Sequence, residues 1–274
     1  MTDRQENLLL VLPGVALLAV AFLVPIGQML VLAFEGPDGW TLDHFRRFLG
    51  DDFYRAVLWR TVRLSALITA CCLAIGFPLA YIMARVGPRA RLWLIVMVIL
   101  PLMTSVVVRT FGWMVVLSRS GLIPSTLRDM GLVGRAFSLM HTETAIVIGM
   151  VQVLLPFMAL SILGVMMRID PRLEEAARTM GCSFLRTIRT VVLPLSVPGI
   201  VAGSLLVFTL SASSFVTPNL LGGPRVQVLA ASIYRQVTQT LDWNFAAAQA
   251  VILFAGVALI LIPYIALTRR GGHG

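Results

Sequence analysis

Glu174-Glu175-Ala176-Ala177-Arg178-Thr179-Met180-Gly181, continued through Arg189 to Leu193-Pro194, is the polar stretch around which this 274-residue chain is organised. It lies between two uncharged runs, residues 144–167 and 190–224, each long enough to cross a bilayer, which takes about 20 apolar residues. Locally it reads as two short helices joined at a corner. Asp170 is placed to N-cap the first, Pro171 suits its first turn, and Glu174 and Glu175 favour its positive end. Gly181 ends that helix, because a residue without Cβ tolerates the left-handed conformation a C-cap needs. Ser183 is placed to cap the second helix, and Pro194 stands where a membrane helix begins. A DNA-binding helix-turn-helix would share the Ala-Ala pair, the glycine and the Ser183 turn. Both neighbours here are membrane spans, however, and leave no free domain to enter a groove.

The composition agrees with those neighbours. The chain is 58% hydrophobic and only 13% charged, whereas soluble domains carry about 25% charged residues. Its net charge of +9 comes entirely from arginine, and the arginines cluster between apolar runs, which is orientation charge rather than a basic groove. Without a lysine there is no phosphate-binding loop of the Walker type. His44, His141 and His273 stand far apart, and no nucleophile-base-acid set emerges. Cys71 and Cys72 fall inside an apolar run and Cys182 in the polar stretch, so no disulfide framework is expected. A chain with this inventory hydrolyses nothing and must take its energy from elsewhere.

Six segments are predicted to cross the membrane: 7–34, about 62–84, about 92–117, about 143–167, one within 190–224, and about 243–268. The first reads as a span rather than a cleavable signal, because it is too long for a signal core and lacks a small-residue cleavage site. Between the first two, residues 35–59 interleave Trp40, Phe45, Phe48, Phe53 and Tyr54 with polar residues, the pattern of an interfacial segment. Residues 118–141 read as a polar loop. The 35 uncharged residues of 190–224 are too many for one straight span, so Ser211 to Pro218 is expected to break or leave the membrane. Gly199 and Gly203 form a small face for close helix packing. Val226, Leu229, Ile233, Val237 and Leu241 recur near helical spacing, and Asp242 is placed to cap the last span. The expected fold is all-α, one polytopic membrane domain over residues 1–274.

An even number of spans puts both termini and the polar stretch on one side. That side carries 11 arginines and 5 acids, the other 10 arginines and 8 acids, so the polar stretch is predicted to be cytoplasmic.

Glu175, Ala176, Ala177, Gly181, Val191, Leu193 and Pro194 match, at the right spacing, the EAA signature of permease subunits of binding-protein-dependent ABC importers, with Val191 where Ile is usual. The chain resembles that family, over a core of about residues 60–270. Gly76-Phe77-Pro78-Leu79-Ala80-Tyr81, Val108-Arg109-Thr110-Phe111-Gly112-Trp113-Met114, Phe215 to Pro224, and Leu241-Asp242-Trp243-Asn244 are similar to its spermidine/putrescine branch, where Pro often stands in place of Asn244.

The resemblance implies a coupling helix, with Glu174, Glu175, Ala176, Ala177, Gly181, Leu193 and Pro194 facing a cytoplasmic ATPase. It implies an ATPase dimer that binds ATP and Mg, with no cofactor in this chain. It further implies a second permease, expected to be a different chain, an extracytoplasmic solute-binding protein, contact with lipid, and no nucleic acid. The location is a bacterial inner membrane. The solute would be a polyamine, or a zwitterionic or anionic molecule handled by the same machinery. Arg109, Trp113 and positions 212, 214, 215 and 217 (Ala212, Ser214, Phe215, Thr217) are candidates for the solute pathway, and Arg235, Asp242 and Trp243 for binding-protein docking.

Physical chemistry pulls against the polyamine here. A polycation calls for carboxylates or aromatic faces, yet no acid lies well inside a span and the one ionisable residue that does is Arg109. Trp113, four residues on, is placed to cover its guanidinium. A secondary transporter remains the other reading; it would need an inverted repeat or an intramembrane carboxylate, and neither is evident.

Overall fold

Lipid offers no hydrogen-bond partners, so a chain this apolar must satisfy its backbone within helices. The computed structural model does so almost throughout. It describes residues 3–37, 39–134 and 137–270, with side chains described between residues 12 and 259. The helices are α1 (Asp3–Phe34), α2 (Asp43–Gly50), α3 (Asp52–Arg85), α4 (Pro88–Ile99), α5 (Val106–Leu117), α6 (Leu122–Asp129), α7 (Glu143–Met166), α8 (Arg172–Thr179), α9 (Phe184–Thr187), α10 (Leu193–Ser213), α11 (Val216–Gly222), α12 (Leu229–Arg235) and α13 (Trp243–Arg270). A short hairpin, Glu35–Gly36 with Gly39–Trp40, follows α1. Five helical segments are long and apolar enough to cross a membrane, and α13, apolar from Trp243 to Leu259 and helical onward to Arg270, supplies the sixth. Arg4, Arg269 and Arg270 lie in helical backbone whose side chains are outside the described residues, and His273 lies outside them altogether.

The bundle is centred on α7, which packs along both α3 and α10. Ile68, Cys72 and Met83 of α3 meet Met150, Met158, Ile162 and Met166 of α7, all buried. The approach of α10 is set by the glycines the sequence singled out. A Cβ at Gly199 would lie 3.0 Å from the Ser161 carbonyl oxygen, and one at Gly203 would lie 2.9 Å from Met158 Sδ. Gly76 of α3 meets Met158 from the other side, where a Cβ would stand 2.9 Å from Cγ. Met158 is therefore clasped between two helices, each of which has given up a side chain to admit it.

Three segments differ from expectation, each for a local reason. The third span is not one helix. A 3-10 turn at Leu100–Met103 and the extended Thr104 and Ser105 separate α4 from α5, because Pro101 has no amide hydrogen to donate and its ring clashes with a continuing helix. The loop 118–141 contains α6; Gly121 at its start approaches the Val115 and Val116 carbonyls so closely that a Cβ would lie 2.3 Å and 2.4 Å from them. Residues 226–241 form α12 and one π-helical turn, with Val226 and Leu229 buried, but Leu241 adopts φ +55 and is exposed, so it leaves the apolar face.

Other expectations hold. The fifth span breaks at Ser214–Phe215, and the chain continues toward the start of α7 as the short α11, whose Thr217, Pro218, Leu221 and Gly222 are buried against α5 and α7. Asp242 caps α13 by accepting from the Phe245 amide at 3.1 Å. The interfacial segment packs Phe48 and Tyr54 on Phe245 and leaves Trp40 and Phe53 exposed, while its later part, from Asp52, lengthens α3.

Overpacking a tight core costs about 1–3 kcal/mol. Gly199→Leu is expected to drive α10 from α7 and to lower the thermal midpoint of the detergent-solubilised protein. Gly164→Ala, on an open face of α7, should leave it unchanged. Equal midpoints for both variants would show that the close approach does not hold the bundle together.

Candidate functional site

The polar stretch folds as a corner. The Asp170 carboxylate accepts from the Arg172 amide at 2.9 Å and so starts α8. At the other end the Cys182 amide bonds the Ala177 carbonyl at 3.1 Å and the Gly181 amide bonds that of Arg178 at 2.9 Å, with Gly181 at φ +85. This pair of bonds is the Schellman arrangement, which closes a helix end with a left-handed residue. Ser183 stands before α9, but its hydroxyl makes no capping bond there; the turn is held by its carbonyl, which accepts from the Thr187 amide at 2.9 Å. A π-helical turn, Ile188–Val192, then leads into α10, whose first residues Leu193 and Pro194 are exposed.

The two adjacent acids of α8 lie on different faces, about 100° apart as helical neighbours are, one buried and one exposed. Glu174 is 5% exposed. Its carboxylate accepts from Tyr81 Oη at 2.8 Å, from Arg85 Nε at 2.8 Å and also from Arg85 Nη2. Ala177 is buried beside it. Glu175, Ala176 and Gly181 are exposed, together with Leu173, Met180 and Leu185. The outward face thus presents the Glu175 carboxylate beside small and apolar residues, flanked by the exposed Arg172 and Arg178. Of the residues expected to face an ATPase, Glu174 and Ala177 are turned into the subunit, while Glu175, Ala176, Gly181, Leu193 and Pro194 are at the surface. Tyr81 and Arg85 were not anticipated, although Tyr81 ends a quoted segment and the spacing of four puts the two on one helix face.

A second polar group lies far from the corner. Arg109 is in the first turns of α5, and with Gly112, Trp113, Val116 and Gln152 it lines an open recess of about 350 Å³. Arg109 Nε and Nη1 and Gln152 Oε1 are out of solvent contact and have no hydrogen-bond partner among the described residues. Trp113 shares the recess but forms no ring-face contact with the guanidinium among the described residues. Gln152 went unremarked in the sequence, although a lone amide within an uncharged run was visible there. Thr110, next to Arg109, bonds Thr217 of α11 at 3.1 Å and ties the two broken segments together.

The four positions before and in α11 do not share one environment. Ala212 has no polar group and is buried, as is Thr217; Ser214 is half-buried; Phe215 is partly exposed and stacked on Tyr234 at 5.0 Å. At the same end of the bundle, Asp242 pairs with Arg47 at 3.0 Å, Trp243 is exposed and Arg235 is half-buried. Arg60 and Arg63 of α3 both pair with Glu143 at the start of α7. Among the described residues no group of three or more His, Cys, Asp or Glu is placed to hold a metal ion.

Comparison with known proteins places this architecture. The family model of the binding-protein-dependent transport system inner membrane component matches residues 76–270. The chain is 34% identical over 253 residues to the spermidine/putrescine transport system permease protein PotB of Haemophilus influenzae, covering 92% of this chain and 86% of that protein. It is 33% identical to PotB of Escherichia coli over 82% of each chain, and 30% identical to the inner membrane ABC transporter permease protein YdcU of the same organism over 85% of this chain and 76% of that one. A chain of a bacterial ABC transporter involved in the import of the acidic polysaccharide alginate superposes with a TM-score of 0.83, covering 98% of this chain and 96% of that one; at 22% identity it shares the fold. This chain belongs to the family of binding-protein-dependent transport system inner membrane components and is the non-catalytic permease subunit of an ABC importer.

Proposed function

We propose that this permease forms half of the translocation pore of an importer for a polyamine of the spermidine and putrescine class. The observation that carries the proposal is the 34% identity to a spermidine/putrescine permease across 92% of the chain. In this reading a solute-binding protein delivers the polyamine at the α11–α13 end, where Arg235, Asp242 and Trp243 lie. A second, different permease completes the pore, and a dimer of ATPases, binding ATP and Mg, docks on α8 from the cytoplasm. Glu175 is the charge that meets the ATPase, and the corner at Gly181 aims it. Both termini are cytoplasmic, as the arginine distribution favours.

Arg109 favours a second reading. An intramembrane guanidinium with unpartnered nitrogens attracts an anion, and it stands near the amino-terminal, positive end of α5. A solute with a carboxylate beside its amine would suit that recess, and a pure polycation would not. Uptake of labelled spermidine by the reconstituted importer decides between the two readings. Competition by putrescine and not by amino acids supports the polyamine, and the reverse selects the carboxylate-bearing solute.

Four outcomes are expected from this assignment. Removing one half of a buried, hydrogen-bonded charge pair costs about 2–5 kcal/mol, so Glu175→Ala should weaken ATPase association and stimulation. Gly181→Val imposes about 1–3 kcal/mol of backbone strain at φ +85, misaims the corner and should abolish uptake with the chain still inserted. Wild-type uptake and solute-stimulated ATP hydrolysis in both variants would remove α8 from the coupling role. Arg109→Gln should cut uptake with normal assembly if the guanidinium meets solute; a lower yield of assembled complex instead assigns it to packing. An impermeant thiol reagent should label Cys182 in inside-out vesicles and not in spheroplasts, and the opposite pattern would invert the topology.

A further inference from the structure

Glu174 is the residue the coupling reading leaves over. It adjoins the carboxylate offered to the ATPase, yet it is buried and both of its oxygens are already bonded within the subunit. We infer that Glu174 is a positioning residue that makes α8 and the last turns of α3 one mechanical unit, so that movement of the corner enters the membrane through α3 as well as through α10. This rests on α8 being the ATPase-docking element.

Three observations converge on it. First, Tyr81 and Arg85 approach the Glu174 carboxylate from one face of α3, and charge-assisted bonds with little solvent around them are strong and directional. Second, the other arm of the corner touches the same turn. The Phe184 ring meets Tyr81 edge-on at 6.0 Å, and Arg178 of α8 lies over Phe184 at 5.6 Å. Third, the end of α3 is itself locked. Arg91 donates to the carbonyls of Met83, Ala84 and Val86, three groups that a helix carboxy-terminus otherwise leaves open.

The alternative path, through the backbone into α10, runs over a π-helical turn at Ile188–Val192. Such turns are local departures from the regular helix and are frequent at functional sites. The strut to α3 avoids that turn: α3 stays α-helical from Asp52 to Arg85, through Pro78, and packs along both α7 and α10. A stroke applied at α8 therefore reaches the centre of the bundle through α3.

The test uses the complete importer in liposomes, with permease pair, ATPase dimer and solute-binding protein. Spin labels at exposed Ile82 of α3 and exposed Thr179 of α8 report their separation without ATP and in the vanadate-trapped state. The separation should be one narrow distribution in both states for wild type and should broaden in Glu174→Gln, which keeps an acceptor for Tyr81 but loses the charge facing Arg85. Spermidine taken up per ATP hydrolysed should fall about fivefold in the same variant. If that variant does not assemble, Tyr81→Phe keeps the ring on Phe184, removes one bond and should lower uptake per ATP about twofold.

A shift of α8 against α3 during the wild-type cycle overturns the inference. So does a wild-type distribution and uptake per ATP in Glu174→Gln or, where Tyr81→Phe stands in for it, in that variant. Failure of the docking reading shows separately, as unchanged uptake in Glu175→Ala with the strut distance intact. Failure of the polyamine reading shows as no spermidine uptake by wild type, in which case the spin-label distances decide alone.

Discussion

The contact on which the rest depends is the meeting of α10 and α7 at Gly199 and Gly203. In lipid the helices gain nothing by hiding apolar surface from each other, since the tails around them are equally apolar. Association must come from dispersion over well-matched surfaces, and that requires backbones to come close. Two glycines on α10 allow it, and Gly76 on α3 allows the same from the opposite side. With α3, α7 and α10 set in this way, every other element hangs from the trio. α11 lies in the angle between α5 and α7, α12 is stapled to α3 where Thr61 accepts from the Leu229 amide, and α8 is pinned beneath the end of α3.

Much of this was legible in the sequence, and what was not has a physical reason. The spans, the glycine face, the break after Ser213, the Asp242 cap and the Gly181 corner all rest on local rules of length, spacing and backbone geometry, and the structure follows them. Partnerships between distant residues obey no such rule. That Glu174 turns inward while Glu175 turns outward depends on where α3 ends in space. Tyr81 and Arg85 lie about ninety positions away in the chain. The break at Pro101 was readable in principle, but a mean apolar character over 92–117 masks a single missing amide hydrogen. Ala212, a candidate for the solute pathway, is packed inside the subunit and has nothing to offer a solute.

The two polar features sit at opposite ends of one helix. α10 runs for 21 residues, about 31 Å at the usual rise, from the coupling corner to the break that begins α11. The Arg109 recess belongs to the broken end and the corner to the other, so no side chain spans the gap. What joins them is rigid: α10 and α3, both held to α7, with Thr110 and Thr217 linking the broken pieces at the far end. A subunit built this way suits rigid-body rocking against a partner better than a chain of local rearrangements.

The interrupted third span has a consequence for how the protein is made. The chain leaving α3 enters α4, turns at Leu100–Met103 and restarts at Val106 with no side-chain cap, so the first amides of α5 lack partners from their own helix. An arginine follows within a turn; at a helix centre it would add about 2.5–3.5 kcal/mol to insertion, and near the start of α5 it adds less. Of the six crossings, this is the one the insertion machinery should release into lipid last and least willingly. The energetic floor for placing the whole bundle in lipid is therefore set by one short segment, from Leu100 to Arg109.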